Sequence, residues 1–380
     1  MVTFGSVTVE VDGSRYRVEL APGVVGLAAS MAAVLPRGRA VLVTNDLVGP
    51  LHGDAVEAEL SGGGWEVSRV TLPDGEANKT LDTWTWLADR ILDTMPDRRT
   101  PVIALGGGVT GDIVGFAAAS VLRGLPFVQV PTTLLAMVDA SVGGKVGVNT
   151  PHGKNLVGAF WQPRLVFAPF DTLHTLPDDE LRCGLGEVVK HAILSGEAAL
   201  ASLEADAPAL RRRDAPALAR AVRASVECKA AVVAADPREV GVRATLNLGH
   251  TLGHAVERVA GYGRVRHGEA VAIGLIGVLR YCEARGWAAP GLTRRVEAIC
   301  TLLELPVITP QDLDPAALVQ AITFDKKRDR ATITLVVPTA PGRVDLRPLP
   351  LAEVPGLVDA LFGSPHATAP APKSDPPSEA

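Results

Sequence analysis

The chain has little of what marks a secreted, membrane-bound or nucleic-acid-binding protein. Its 380 residues hold four cysteines, Cys183, Cys228, Cys282 and Cys300, and no CxxC pair. Such a set reads as buried thiols rather than a disulfide framework. No charged segment followed by an apolar one opens the sequence, so no secretory signal is expected. The apolar stretch Ala270 to Leu279 is too short to span a bilayer. Positive charge is not in excess: 37 basic against 42 acidic residues give a net charge of −5. The basic field that nucleic acid or an anionic membrane needs is missing, so neither is expected as a partner. An anionic ligand must therefore meet local positive charge. There is no internal repeat, no GxGxxG and no Walker GxxxxGK[ST]. With 47% hydrophobic and 21% charged residues, the balance is globular; with free thiols and no secretory signal expected, a cytoplasmic enzyme is the expectation.

What is present is a change of rhythm. In the first half, short apolar runs alternate with amphipathic stretches. Ala40 to Thr44 and Trp65 to Leu72 read as strands and Thr80 to Asp93 as a helix. Pro101 to Leu105 reads as a buried strand, followed by a helix from Asp112 to about Leu122, and Phe127 to Val130 as a further strand. Strand and helix in alternation imply a parallel sheet with crossover helices. From Pro177 onward, good helix formers dominate, as in Asp178 to Leu194 and Leu218 to Ala234. The expected fold is an α/β Rossmann-like nucleotide-binding domain over 1–170 and a mainly α-helical metal and substrate domain over 171–363. A Pro/Ala/Ser tail over 364–380 is expected to be disordered. Thr332 to Val337 reads as a strand returning to the body, and Arg211 to Arg213 as a solvated helix end.

Three sets of residues carry chemistry. Gly106-Gly-Gly-Val-Thr-Gly-Asp112 follows a strand and precedes a helix, where glycines and free N–H groups can cradle a pyrophosphate. The loop Asp74-Gly-Glu-Ala-Asn-Lys79 suits a ribose and its phosphates. Thr132-Thr133 lies at a strand's carboxyl end, where ligands of open α/β sheets bind. The second set is His250-Thr-Leu-Gly-His254 with His267, three of the eight histidines within eighteen residues. Thr251 replaces the glutamate of HExxH, which disfavours a zincin protease. With Glu187 upstream, a carboxylate and two imidazoles make a divalent-metal site, though spacing does not say which two histidines ligate. The third set is cationic: Lys145, Lys154 with Asn155, Lys229, Arg243 near Asn247, and Lys326-Lys327. Flanking glycines suggest loops projecting these side chains into a cleft, as a phosphorylated, carboxylated substrate needs.

In this order, with Val130-Pro-Thr-Thr-Leu-Leu-Ala136, Val138-Asp-Ala-Ser-Val-Gly-Gly-Lys145, Gly153 to Phe160, Gly184-Leu-Gly-Glu-Val-Val-Lys190, Leu246 to Glu257 and His267-Gly-Glu-Ala-Val271, these segments resemble 3-dehydroquinate synthases of the sugar phosphate cyclase superfamily. The resemblance runs from about Thr44 to Val337. It implies an enzyme that converts 3-deoxy-D-arabino-heptulosonate 7-phosphate to 3-dehydroquinate and phosphate, in the shikimate route to aromatic amino acids. The steps would be NAD-mediated oxidation, phosphate β-elimination, re-reduction and aldol closure, with Zn²⁺ or Co²⁺ as the metal.

By matching position the resemblance implies Glu187, His250 and His267 as metal ligands, with Lys145, Glu239 and His254 as catalytic residues. Substrate would meet Lys145, Asn155, Asn247, His254 and one of Lys326 and Lys327 at its phosphate, Lys229 and Arg243 at its carboxylate, and Lys190. Arg123 would reach a neighbouring subunit's site, since the family is commonly homodimeric. NAD would meet Asp74, Gly75, Glu76, Lys79, Gly107, Gly108, Val109, Thr110, Gly111, Asp112, Thr132, Thr133, Asp139, Lys145, Lys154, Thr172, Leu173, His174 and Thr175. If 243–250 is helical, Arg243, Asn247 and His250 share a face. Two departures stand out: Gly186 where the family usually has alanine, and His191 where tyrosine is common. The competing chemistries are a sister sugar phosphate cyclase, aminodehydroquinate synthase above all, and a metal-dependent polyol dehydrogenase. A non-catalytic binding protein would have no use for an intact metal and cation set.

Overall fold

The computed structural model describes residues 4–261, 263–324 and 331–363. The tail over 364–380 and the Lys326-Lys327 pair lie outside them. A hairpin of β1 (Ser6–Val11) and β2 (Ser14–Ala21) opens the chain. There follow α1 (Leu27–Ala32), β3 (Arg39–Asn45), α2 (Asp54–Gly62), β4 (Glu66–Leu72), α3 (Leu81–Asp93), β5 (Val102–Gly106), α4 (Gly108–Ser120) and β6 (Phe127–Pro131). A second hairpin, β7 (Lys145–Thr150) with β8 (Gly153–Phe160), precedes β9 (Leu165–Pro169). Seven strands form one sheet in the order β1-β2-β9-β6-β5-β3-β4, parallel throughout except at β1.

Side-chain alternation explains why helices cover both faces. In β3, Ala40 and Leu42 point to a core built with Leu27 and Met31 of α1 and Val56 and Leu60 of α2. Val41 and Val43 point the other way, to Leu87 and Ile91 of α3 and to Ile113, Val114 and Ala117 of α4. Thr80 caps α3 by accepting from the Thr83 N–H at 3.2 Å. The order in which successive strands are added reverses between β3 and β5: β4 joins on one side of β3 and β5 on the other. A sheet of this kind opens a crevice at the carboxyl ends of its strands at such a reversal.

The helical half contains α5 (Asp178–Ser195), α6 (Glu197–Arg211), α7 (Ala215–Ala235), α8 (His250–Ala260), α9 (His267–Ala284), α10 (Leu292–Leu302) and α11 (Pro315–Phe324). It ends with the hairpin β10 (Thr332–Ala340) and β11 (Arg343–Pro350), then α12 (Val354–Asp359). The late strand read from Thr332 thus pairs in its own two-stranded sheet and does not join the main one. The end of α6 is not simply solvated. Arg211 pairs with Glu304, and Arg213 reaches the Leu176 carbonyl and Asp178, so both tie separate segments together. The N-terminal hairpin also has a role that the sequence did not suggest: Val7, Val9, Val11, Val18 and Leu20 share one core with residues of α5, α7 and α9. Cys183, Cys282 and Cys300 are buried and all four thiols are free. No helix among the described residues is long and apolar enough to cross a membrane.

Helices α5 and α9 touch backbone to backbone. A Cβ on Gly186 would overlap the Gly268 carbonyl, and a Cβ on Gly268 would overlap that of Cys183. Glycine at 186 therefore lets α5 sit directly on the start of α9. Gly268→Ala should push these helices apart. We expect a loss of about 1–3 kcal/mol of stability, the scale of an overpacked core, read from urea unfolding midpoints. An unchanged midpoint would mean that the contact is not made in solution.

Candidate metal and nucleotide active site

The centre of the site is Glu187, fully buried in the middle of α5. Its Oε1 lies 3.4 Å from His250 Nε2 and 3.3 Å from His267 Nε2. Each of those histidines is the first residue of its helix, α8 and α9. Two donors about 2.0–2.1 Å from a tetrahedral ion lie roughly 3.3–3.4 Å apart, so both separations suit a shared cation. Lys190, one turn along α5, contacts the other carboxylate oxygen, yet neither oxygen of Glu187 has a well-formed hydrogen bond. A buried carboxylate whose Oε1 faces two imidazole nitrogens is a ligand set that fits Zn²⁺ or Co²⁺. The residues present therefore fit the implied metal.

The outer contacts of the two imidazoles are set as well. His250 Nδ1 lies 3.2 Å from the Leu248 carbonyl, and His267 Nδ1 lies 3.2 Å from Glu257 Oε2. Each contact fixes its ring and leaves Nε2 facing Glu187. Burial favours a neutral His267, but Glu187 and Glu257 outweigh it and raise its pKa to about 10. His254 stands at the edge of the group, with ring centroids 5.2 Å from His250 and 5.9 Å from His267. Partial withdrawal from water and the two neighbouring imidazoles push it down to about 4, so it is neutral at physiological pH and able to take or give a proton.

The expected single helical face through Arg243, Asn247 and His250 is not what forms. Val242–Asn247 is a short 3₁₀ turn, and Gly249, at φ 79°, turns the chain before α8 begins. Only glycine takes that conformation freely. Arg243 is instead placed by its own loop. The Asp236 carboxylate accepts from the N–H groups of Val240, Gly241 and Arg243, and Arg243 donates from a terminal nitrogen to the Pro237 carbonyl at 2.6 Å. The guanidinium also packs on the Cα face of Gly143, whose N–H donates to the Tyr16 hydroxyl at 3.1 Å.

The cations near the metal group are held by carboxylates. Lys145 contacts Glu239, and Asn247 donates to Glu239 at 3.4 Å. Lys229, buried, lies 2.8 Å from Asp139 Oδ1 and donates to the Asp139 carbonyl at 2.6 Å. Asp139, expected at the nucleotide, thus sits against Lys229, whose charge, against burial, holds it well below the carboxylate range. The loops expected around Lys145, Lys154 and Asn155 are in fact strands, β7 and β8, hairpin-paired. Glycines at 147 and 158 disguise them, because at both positions a side chain would strike the facing backbone.

The nucleotide crevice gathers at the carboxyl ends of β3, β4, β5, β6 and β9. Gly107 is extended, and α4 begins at Gly108, so the N–H groups of Gly108, Val109 and Thr110 lead its first turn. Asn45, which the sequence reading missed, ends β3 and donates to Asp74 Oδ1 at 2.6 Å. Gly75 and Glu76 continue that loop, and Asn149 donates to Glu76 at 2.8 Å. Lys79, buried, pairs with Asp112 at 2.6 Å and donates to Asn155 at 2.5 Å. Asn155, expected at a phosphate, is therefore on the crevice side. Burial raises Asp112 to about 6 against the pull of Lys79. Thr132 is buried behind Gly106, Thr133 accepts from the Ala136 N–H, and Lys154 lies 4.0 Å from Glu76. The turn Phe170–His174, with Thr172 and Leu173, follows β9, and Thr175 meets His52 at 2.7 Å. The two regions share a field: Lys229 acts on Asp112, and Lys154 on Glu257.

A parallel-sheet nucleotide crevice beside a buried His₂Glu group defines an NAD- and metal-dependent enzyme built like the sugar phosphate cyclases. Comparison with known proteins narrows the class. The family described as 3-dehydroquinate synthase N-terminal matches residues 69–183, and 3-dehydroquinate synthase C-terminal matches residues 184–328. A 3-dehydroquinate synthase of Methylococcus capsulatus is 46% identical over 354 residues, 93% of this chain and 97% of its own length. The chain belongs to the 3-dehydroquinate synthase family. Among solved structures, a 2-deoxy-scyllo-inosose synthase complexed with carbaglucose-6-phosphate, NAD⁺ and Co²⁺ superposes with TM-score 0.83 at 25% identity, covering 93% of this chain and 99% of that one. A 2-epi-5-epi-valiolone synthase from Streptomyces hygroscopicus with NAD⁺ and Zn²⁺ bound gives TM-score 0.82 at 28% identity over 93% and 98%.

Glu257 carried one sequence signal: it follows His254 by three residues on the same helix. Glu257→Gln should weaken Zn²⁺ or Co²⁺ binding about 10- to 100-fold, as loss of a ligand-orienting carboxylate does, measured by chelator competition. Wild-type affinity would remove it from the metal site.

Proposed function

We propose that this chain is a 3-dehydroquinate synthase, releasing phosphate from 3-deoxy-D-arabino-heptulosonate 7-phosphate and closing the carbocycle. The observation that carries the reading is the convergence of Glu187, His250 and His267 beside two lysine–carboxylate pairs, Lys229 with Asp139 and Lys145 with Glu239, and a nucleotide crevice. A divalent metal there would acidify a substrate hydroxyl, and NAD would accept and return the hydride. The protein's own residues bind and orient. Lys145, Asn247 and His254 face the phosphate end, with one of Lys326 and Lys327. Lys229 and Arg243 face the carboxylate, and Arg243 keeps N–H groups without acceptors among the described residues. His254, neutral, moves the proton, with Glu239 on the same relay. Lys190 stays on Glu187, offsetting its buried charge. Asp74 to Lys79, Gly107 to Asp112, Thr132, Thr133, Lys154 and the turn through Thr175 hold the nucleotide. By the same reading the enzyme is a cytoplasmic homodimer, with Arg123 reaching the neighbouring subunit's site.

The direct test is to incubate the protein with the heptulosonate phosphate, NAD⁺ and Zn²⁺ or Co²⁺, following phosphate release and the cyclic product by NMR. NAD⁺ should act catalytically, with many product equivalents per NAD⁺ and no net NADH absorbance. NADH accumulating in step with product would favour the dehydrogenase reading.

Arg243 separates this chemistry from that of cyclases acting on sugar phosphates without a carboxylate. A guanidinium pairs bidentately with a carboxylate, which sedoheptulose 7-phosphate and glucose 6-phosphate lack. Arg243→Ala should cost at least ~2 kcal/mol of transition-state stabilisation, on the order of thirtyfold in kcat/KM, while metal and NAD binding persist. Efficient turnover of either sugar phosphate, indifferent to Arg243→Ala, would move the protein to a sister activity.

A further inference from the structure

One buried polar group has no place in the roles above. His191, one turn after Glu187 on α5, is 1% exposed, and neither ring nitrogen has a hydrogen-bond partner. Leaving a buried polar group unpaired costs about 1–3 kcal/mol, so a side chain kept in that state calls for a reason. Its Nε2 lies 3.8 Å from Asp139 Oδ1, the same oxygen that takes Lys229 at 2.8 Å. Burial and the Lys190 charge push the imidazole down to about 3, so it offers one N–H and one lone pair, and no charge. Asp139, Glu187 and His191 could each turn one ligand atom toward a common point. A second cation there would face the ammonium groups of Lys190 and Lys229, already seated on both carboxylates. A hydrogen-bonding role is what remains.

We propose that His191 is a positioning residue for Lys229: its Nε2–H takes over the Asp139 carboxylate when Lys229 turns to the substrate's carboxylate. In the resting site Lys229 satisfies Asp139. Once Lys229 is drawn to an incoming anion, Asp139 Oδ1, on a side chain 30% exposed, would lose its nearest donor. An imidazole N–H within 3.8 Å can close that gap by a small shift and hold Asp139 ionised. His191 thereby lowers the cost of releasing Lys229, and its effect falls on substrate binding more than on the chemical step.

The inference rests on the proposed carboxylate-bearing substrate. His191→Phe, which fills the space without a donor, should raise KM for the heptulosonate phosphate about tenfold with kcat within about threefold, the scale of one lost buried hydrogen bond. His191→Gln restores an N–H and should recover most of the loss, with NAD and Zn²⁺ affinities unchanged in both. A wild-type KM in His191→Phe, or a Gln variant as poor as Phe, would overturn the proposal. A separate readout needs no turnover: the ¹⁵N shifts of the His191 ring, assigned through its backbone in the wild-type protein, should show the neutral Nε2–H form. The Nδ1–H form would overturn it. If the wild-type enzyme fails to turn over the heptulosonate phosphate, the functional reading falls, while the ring tautomer still decides this hydrogen bond.

Discussion

A carboxylate with no access to water must be surrounded by positive charge or metal, and Glu187 imposes that condition on the whole helical half. Ionising a buried acid without partners is prohibitive. Lys190, His250 and His267 supply the partners, and each comes from a place that the fold has to bring in. Lys190 needs only the turn of α5. The two histidines need the starts of α8 and α9 against the middle of α5. For α9 that approach is closer than side chains allow, and glycines at 186 and 268 make it; α8 is brought in on α9, where Gly249, Gly253 and Gly274 meet backbone to backbone. The site is thus a consequence of helix packing at backbone distance, and the packing is tolerable because the charge at its centre is matched.

The sheet meets the same site from the other side. Its loops at the carboxyl ends of β3, β5 and β6 form the crevice, and the segment after β6 passes directly into Asp139, Lys145 and the β7–β8 hairpin. Asp139 anchors Lys229 of α7, and Lys145 anchors Glu239 in the loop that holds Arg243. Ion pairs of this kind fix register between the two halves more than they add stability. The N-terminal hairpin reinforces the join, since its apolar face is buried with α5, α7 and α9 rather than with the rest of the sheet's helices.

Much of this was legible in the sequence where local chemistry and fold agree. The run Pro101 to Asp112 reads as strand, glycines and helix because its pattern changes at the glycines, and it folds in that order, though α4 starts at Gly108, a turn before the expected Asp112. The ligand group was legible as a cluster of histidines, but its members were not separable by spacing. What stayed hidden depended on long-range contacts. The β7–β8 hairpin carries glycines where its strands approach, so it reads as loop. The Arg243 to His250 stretch has helical spacing, and one left-handed glycine breaks it. Asn45 and the placement of Asp139 by Lys229 emerge only when distant segments meet.

The resting site is already self-paired: Lys145 with Glu239, Lys229 with Asp139, Lys190 with Glu187 and Lys79 with Asp112. An incoming anion therefore exchanges partners with carboxylates that stay behind, and does not simply meet free cations. Such exchange gives up part of the Coulombic gain, because each displaced carboxylate must find a new donor. It returns selectivity. A ligand with one anionic group can relieve one pair at most, whereas one with a phosphate and a carboxylate at the right separation can draw Lys145 and Lys229 together and leave Glu239 to Asn247. In a chain whose net charge is −5, no general positive field attracts weaker anions to the cleft. Discrimination then rests on how many of the internal pairs a ligand can replace at once, which is a property of its whole shape and not of any single contact.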